Sequence, residues 1–293
     1  MDAARPSRTA LRVALRRAAH QLYDAQPLVL DDPVAVPILG TYAEELERTP
    51  GRRAHLKPRP YSVGLRALMV ARSRLAEDLL ARAVDAGVRQ YIVLGAGLDT
   101  FAHRNPHIGL RVFEVDYPAT QEWKREFLAE GGLPHPKGLT YVPTDFEHQA
   151  LREALRWTGW DAGAPTFFSW LGVVPYLTLE AFRSTIGFIA SQPSGSGVIC
   201  DYGQPRRVLP FLEQLAFDSL SARVALAGEH FRLFFTPAEV ASELAAFRSL
   251  EDLGSRELNA RYFSNRTDRL QLHGEAPRII SAWVNHRDEN DGT

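Results

Sequence analysis

The sequence predicts an α/β fold organised around a parallel β-sheet, and three observations support this prediction. Between residues 89 and 203, short runs rich in β-branched residues alternate with stretches of helical spacing, which is typical of repeated βαβ units. The first run, QYIVL at residues 90–94, is typical of a strand buried on both faces of a parallel sheet. A turn with two glycines follows it directly. In open α/β sheets, ligands bind at this end of the strands.

The strands and helices of this region can be placed individually. Five strands are predicted, at residues 90–94, 110–115, 139–142, 166–169 and 197–200. Helical spacing predicts connecting helices at residues 119–130, 149–157 and 179–192. Right-handed crossovers would bring the carboxyl ends of all five strands to one edge of the sheet.

We interpret residues 1–293 as one domain with three zones. Residues 1–88 are predicted to form a helical cap, and residues 89–203 a βαβ core that binds a cofactor. Residues 204–285 are predicted to form helices on the substrate side, followed by closing strands near 246–262 and 278–285. The arginine-rich start has an apolar helical face with Leu11, Leu15 and Ala18, so it predicts a helix packed over the ligand rather than a targeting segment.

Composition excludes several classes of function. The formal net charge of −1 gives no indication of a nucleic-acid partner. No apolar run approaches the roughly 18–20 residues that cross a bilayer, and the single cysteine, Cys200, fits a reducing compartment. We therefore expect a cytoplasmic protein without a membrane partner. His103 and His107 have a metal-like spacing, but Pro106 breaks the helix that this spacing requires, so no metal site is predicted. No feature indicates the oligomeric state.

The glycine turn, LGAGLDT at residues 94–100, predicts a nucleoside site. Gly95 and Gly97 let the backbone turn tightly and approach a ligand closely. The dinucleotide fingerprint has a third glycine three residues later, where this chain has Thr100, so a pyrophosphate site is weakened. A plain tight turn is the alternative, and an NAD-dependent oxidoreductase is a second one.

Acidic residues follow the next two strands. Asp116, in FEVDYP at residues 113–118, ends the second strand about twenty residues beyond the glycines, where an acid can accept hydrogen bonds from both ribose hydroxyls. Glu114 lies on the same face and is the alternative. Asp145, in VPTDF at residues 142–146, could accept the adenine amino proton while Phe146 covers the ring. It could equally be a helix N-cap.

The combination of motifs resembles a known family, and the resemblance covers nearly the whole chain. Besides the three segments above, it rests on QEWK at 121–124, PYLT at 175–178, SRTALRVALRRA at 7–18, DDPVA at 31–35 and RYFSNR at 261–266. Together they resemble the leucine carboxyl methyltransferase family, in its bacterial branch of S-adenosylmethionine-dependent O-methyltransferases. The resemblance implies a class I methyltransferase fold, with a Rossmann-like seven-stranded sheet and an N-terminal helical lid over the cofactor, S-adenosyl-L-methionine.

The resemblance also implies roles for individual residues. Arg72 matches the family arginine that binds the methionine carboxylate, a task that suits a bidentate guanidinium; Arg74 is the neighbour with which it could be confused. Gly95 matches a glycine that touches the cofactor, and Asp116 matches the ribose acid. The pair at residues 145 and 146 matches the adenine contacts.

One position departs from the family pattern. Many members have an acid just before the glycine that follows the fourth strand, where this chain has Leu171. Ser169, which we assign to the cofactor site, or Trp170 could compensate. The departure is also the main argument for a further alternative, a non-catalytic protein that keeps the fold and binds a ligand.

The methyl acceptor is the least determined part of the prediction. In-line displacement requires alignment of donor and acceptor, and a carboxylate needs no base, whereas a phenol with a pKa near 10 benefits from one. His230, Tyr176 and Tyr202 are candidate bases, although a structural role is favoured for each, so no catalytic residue is assigned. An aromatic or apolar small molecule is the expected acceptor. The aromatic side chains that could contact it are Phe217, Phe231, Phe234 and Phe235. The alternative is that these side chains simply pack on the sheet.

Overall fold

The computed structural model describes residues 7–40, 42–43, 60–145, 149–226 and 228–284. Seven strands form one sheet in the order β3-β2-β1-β4-β5-β7-β6. They are β1 (Gln90–Leu94), β2 (Arg111–Asp116), β3 (Leu139–Pro143), β4 (Thr166–Trp170), β5 (Gly197–Gly203), β6 (Ser249–Leu253) and β7 (Pro277–Trp283). The five strands predicted in the core are therefore confirmed, with shifts of a few residues at their ends.

The order of the strands determines where a ligand can bind. β1 pairs in parallel with both β2 and β4. The chain adds β2 and β3 on one side of β1, and then returns to add β4 and β5 on the other side. The connections leave β1 in opposite directions, which opens a crevice at the carboxyl ends of β1 and β4. β7 is antiparallel to both β5 and β6 and lies between them, so β6 forms the far edge of the sheet.

Helices cover both faces of the sheet and one end of it. They are α1 (Arg8–Tyr23), α2 (Pro60–Asp85), α3 (Phe101–Arg104), α4 (Pro118–Glu130), α5 (Leu151–Leu155), α6 (Leu179–Ala190), α7 (Phe211–Ala225), α8 (Pro237–Glu243) and α9 (Ser255–Tyr262). Of the predicted connecting helices, 119–130 and 179–192 agree closely with α4 and α6, whereas α5 is shorter than predicted. No helix in the described ranges is long and apolar enough to cross a membrane.

The buried side chains form two large clusters, one on each face of the sheet. Neighbouring residues of β4 show the alternation: Phe167 belongs to the cluster beneath α2, and Phe168 to the cluster beneath α6. A third, smaller cluster joins α1 to α4 and to the turn after β1, through Ala14, Leu98 and Phe127. Helix α1 is thus packed over the carboxyl end of β1, as expected of an N-terminal lid.

One predicted element is wrong in part. Residues 246–262 were expected to form a closing strand, but only β6 is extended and α9 follows it. The change from strand to helix occurs at Gly254, whose backbone N–H donates to the Glu257 carboxylate across 3.0 Å. An acid at this position of the first helical turn stabilises the start of a helix, so the chain leaves the sheet there.

Candidate functional site

A cavity lies at the carboxyl ends of β1, β2 and β4, at the crevice in the sheet. Its volume is about 1040 Å³ when its open mouth is counted, and α1 and α2 contribute to its walls. Five of the predicted cofactor-binding residues line it together: Arg72, Gly95, Gly97, Asp116 and Ser169. A partly enclosed cleft with a few convergent polar groups is typical of a small-molecule site.

The glycine turn brings three segments of backbone close together. Gly95 has φ 67° and Gly97 has φ 51°, values that glycine adopts without strain. A Cβ on Gly95 would overlap the side chain of Val173, and a Cβ on Gly97 would lie 3.0 Å from Cβ of Ala10 in α1. The glycines are therefore required by the close approach of the β4 loop and of helix α1.

Asp116 is the last residue of β2, and its side chain contacts the glycine turn after β1. Its carboxylate accepts the N–H of Gly97 across 2.6 Å and that of Tyr117 across 2.7 Å. Burial raises the pKa of Asp116 to about 6, against the effect of these two hydrogen bonds. The alternative acid, Glu114, does not line the cavity, because it is buried against Lys124, with 2.5 Å between Oε2 and Nζ.

Arg72 reaches the cavity from α2 and is held by an acid that the sequence analysis missed. Nη1 of Arg72 donates to Oδ2 of Asp201 across 2.7 Å, and Oδ1 of Asp201 accepts the N–H of Gly172. A Cβ on Gly172 would lie 2.9 Å from Nη2 of Arg72, so a glycine is needed for this approach. Arg74 lies outside the cavity and pairs with Asp78.

The surroundings of Leu171 show which neighbour could replace the family acid. Ser169 lines the cavity and accepts a hydrogen bond from Tyr91 Oη across 2.9 Å, whereas Trp170 is fully buried, with its ring stacked on Phe182. The acid beside this loop is Asp201, from the carboxyl end of β5. Its only signal in the sequence is an acid at the end of a predicted strand.

Asp145 does not line this cavity itself but contacts Tyr117, which does. It follows β3 by two residues, is half-buried, and accepts a hydrogen bond from Tyr117 Oη across 3.2 Å. It is not the N-cap of the next described helix, because that position is Ala150. Phe146 is outside the described residues, so the adenine pair stays a prediction.

The three candidate bases lie in different surroundings. His230 is exposed and lines neither this cavity nor the one described below. Tyr176 lines the cavity, where burial raises its pKa to about 12. Tyr202 donates to Asp252 across 2.8 Å, and burial raises its pKa as well. A raised phenol pKa makes the phenolate scarce at neutral pH, which gives neither tyrosine an advantage as a base.

Comparison with known proteins identifies the family. The profile of the leucine carboxyl methyltransferase family matches residues 10–190. The chain belongs to this family. A Bacillus subtilis protein assigned by name to the S-adenosyl-L-methionine-dependent methyltransferases is 32% identical over 295 residues, covering 90% of this chain and 93% of its own. A similarly named protein of Mycolicibacterium paratuberculosis is 30% identical over 233 residues, covering 78% and 75%.

A solved structure agrees with this assignment at the level of the fold. A Thermobifida fusca protein described as a methyltransferase superposes with a TM-score of 0.57 at 17% identity, and the match covers 97% of each chain. The fold is accordingly that of the class I methyltransferases. The protein is an S-adenosylmethionine-dependent methyltransferase, and S-adenosylmethionine is its cofactor.

Hydrogen bonds hold helix α1 of the methyltransferase over the cavity, both at its N-terminus and in its C-terminal half. Near its C-terminal half, Arg17 donates to the carbonyl oxygen of Leu98 across 2.5 Å and to Asp99 across 3.3 Å. At its N-terminus, the hydroxyls of Ser7 and Thr9 donate to the buried carboxylate of Glu229. An acid at a helix N-terminus also interacts favourably with the helix dipole.

Replacing Glu229 with alanine is expected to loosen α1. Two hydroxyls lose their acceptor, at a cost of about 1–3 kcal/mol, so backbone amides of α1 should exchange with solvent about tenfold to a hundredfold faster. Hydrogen exchange followed by mass spectrometry measures this directly. Glu126→Ala, on an exposed part of α4, is the matched control. Unchanged protection of α1 in the Glu229 variant would show that this contact does not hold the helix.

A second cavity adjoins the first on the side of β5 and α7. Its volume is about 1090 Å³ with its mouth, and most of its wall is apolar. Phe217, Phe231 and Phe234 line it, as the sequence suggested, whereas Phe235 packs in the core against Phe182. The remaining apolar wall comes mainly from Leu65, Leu68, Pro175, Ala216, Leu220 and Leu272.

The two cavities meet at one ion pair. Arg72 lines the first cavity and its partner Asp201 lines the second. Neighbouring residues of one short turn also divide between them, since Tyr176 lines the first and Pro175 the second. A ligand in either cavity therefore ends close to a ligand in the other.

Proposed function

We propose that this methyltransferase transfers a methyl group to an oxygen atom of a small apolar or aromatic molecule, such as a secondary metabolite. The observation that carries the proposal is the apolar cavity lined by Phe217, Phe231 and Phe234, which adjoins the first cavity at Asp201. Pockets for small molecules are mostly apolar, with a few placed polar groups. A protein C-terminus or a nucleic acid would instead need an open, more polar surface.

The residues of the first cavity fit the cofactor. The glycine turn at Gly95 and Gly97 lines this cavity beside Asp116, whose carboxylate suits the two ribose hydroxyls of a nucleoside. The Arg72 guanidinium suits the methionine carboxylate, with Ser169 beside it. When bound, S-adenosylmethionine supplies an electrophilic methyl group for in-line displacement by an acceptor oxygen.

The protein's own contribution would be alignment and exclusion of water. Helix α1 covers the first cavity, and the apolar wall of the second removes competing water from the acceptor. The oxidoreductase alternative finds no support, because Thr100, at the place of the third fingerprint glycine, is buried and donates to Asp32 across 2.6 Å. The boundaries 1–88, 89–203 and 204–285 stay predictions.

The proposal is tested by methyl transfer from radiolabelled S-adenosylmethionine to a matched series: 2-naphthol, 2-naphthoic acid, 2-naphthylamine and 2-naphthalenethiol. We expect label on oxygen. Phe217→Trp should fill the second cavity and lower transfer about tenfold or more, with unchanged binding of S-adenosylhomocysteine. Phe211→Trp is the control, because this residue of the same helix is 72% exposed. Label on nitrogen or sulfur alone, or equal activity of both variants, would contradict the proposal.

A further inference from the structure

At the end of the second cavity that adjoins the first, the charged side chain in the wall is the carboxylate of Asp201. Asp201 lies at the carboxyl end of β5, next to the first cavity, and its side chain is 12% exposed. Arg72 and Gly172 each occupy one of its oxygens. A carboxylate oxygen can accept two hydrogen bonds, so both oxygens keep capacity for a ligand.

The other charged or titratable residues of this wall are engaged or exposed. Tyr202, which follows Asp201, lines the wall and donates its hydroxyl to Asp252 across 2.8 Å. Oε2 of Glu213 accepts the N–H of Glu275 across 2.7 Å and also that of Ala276. Arg223 and His273 are exposed, at the solvent side of the cavity. Among the described lining residues, the inner end thus offers an acceptor of hydrogen bonds and no cation except Arg72 behind Asp201.

We propose, on the basis of the function proposed above, that the methyl acceptor is a neutral hydroxyl on an apolar ring system, and that Asp201 binds this hydroxyl and takes its proton. A hydroxyl can donate to Asp201. A carboxylate would add a third negative charge around Arg72, which already faces Asp201 and would bind the methionine carboxylate, and in apolar surroundings such a charge is costly. The inference separates two acceptor classes that the sequence left open.

The reaction balances with Asp201 as the proton acceptor. The acceptor oxygen forms a bond to the methyl carbon, and the electron pair of the broken carbon–sulfur bond stays on sulfur. The hydroxyl proton passes to Asp201 as the new ether forms. Because a protonated ether is a much stronger acid than a carboxylic acid, this transfer is favourable even with Arg72 beside Asp201.

The test compares 2-naphthol with 2-naphthoate by calorimetry, on protein saturated with S-adenosylhomocysteine at pH 7. We expect 2-naphthol to bind about tenfold more tightly or better. Asp201→Asn should reduce the preference to within about twofold, because the charge that repels the carboxylate is gone. Since Asp201 also holds Arg72, S-adenosylhomocysteine affinity is measured for the variant first and the nucleoside is kept saturating. Asp218→Asn, the same change at an exposed position of α7, should leave the preference intact.

A second measurement examines the proton. With 2-naphthol as acceptor, kcat of the wild type should be flat between about pH 6 and 8, whereas kcat of Asp201→Asn should rise about tenfold per pH unit, because only ionised naphthol would react. Equal profiles, or bound naphthol that is never methylated, would refute the role of Asp201.

The binding outcomes also separate this inference from the proposed function. Tighter binding of 2-naphthoate, a preference that survives in Asp201→Asn, or binding of neither compound to a protein that binds S-adenosylhomocysteine would overturn the inference alone. Label on the carboxylate of 2-naphthoic acid would do the same and still support O-methylation. Label on nitrogen or sulfur alone would contradict the proposed function itself.

Discussion

Replacing Asp116 with asparagine is expected to weaken the binding of S-adenosylhomocysteine by about a hundredfold or more. A carboxylate can accept hydrogen bonds from both ribose hydroxyls, and bonds to a charged group contribute about 1.5–3 kcal/mol each. The asparagine amide offers only one acceptor atom, which must also serve the N–H groups of Gly97 and Tyr117. Titration calorimetry measures the loss. Asp85→Asn, at the exposed end of α2, is the control.

The same experiment has a pH signature. Burial raises the pKa of Asp116 to about 6, and protonation removes an acceptor, so wild-type affinity should be constant above about pH 7 and fall about tenfold per pH unit well below 6. The asparagine variant should bind weakly at every pH. Tight, pH-independent binding by the wild type would mean that the ribose is held elsewhere. The neighbouring charges, Glu114 and Lys124, are present in both proteins.

Replacing Lys124 with methionine is expected to lower the free energy of unfolding by about 3–5 kcal/mol at pH 7. Both members of the Lys124–Glu114 pair have side chains only 1% exposed, so the substitution leaves a buried carboxylate without its partner. Urea unfolding measures the change. Lys137→Met, at an exposed position, should have little effect.

The pH dependence of this loss identifies its cause. Burial already raises the pKa of Glu114 to about 7, and loss of the ammonium raises it further. A raised carboxyl pKa favours the neutral form in the folded state, so the stability of the variant should fall as pH rises above about 4.5, the ordinary carboxyl pKa. Its difference from the wild type should be smallest below that pH and should grow above about pH 7, where the wild-type carboxyl is ionised and paired. Adding Glu114→Gln should recover much of the stability. A loss below about 1 kcal/mol at pH 7 would show that water reaches the pair.

The parts of the site that sequence could predict are those created by local structure. Gly95, Gly97 and Asp116 stand at the ends of two strands whose buried runs are easily recognised, and parallel pairing then brings them together. Arg72 was placed only through the family resemblance, because its position in α2 carries no local signal. The fold was predictable for the same reason, because its core strands are short buried runs that can be recognised locally.

The parts that sequence could not predict depend on contacts between distant segments. Asp201 meets Arg72 from 129 residues away, and Glu229 meets Ser7 from 222 residues away. No periodicity encodes such pairs, since each arises from how the helices settle on the sheet. The start of α9 was missed for a different reason: Gly254 and Glu257 form a local signal for a helix, and the strand predicted near 246–262 did not take it into account.

Because α1 closes one cavity and leaves the other its own mouth, the two ligands would exchange by separate routes. An acceptor and its methylated product can pass the exposed Arg223 and His273 while the nucleoside stays enclosed. Loss of the Ser7, Thr9 and Arg17 contacts would loosen α1 and widen the path of the nucleoside. Donor and acceptor could then bind in either order, and the contacts of α1 would affect exchange of the donor without affecting exchange of the acceptor.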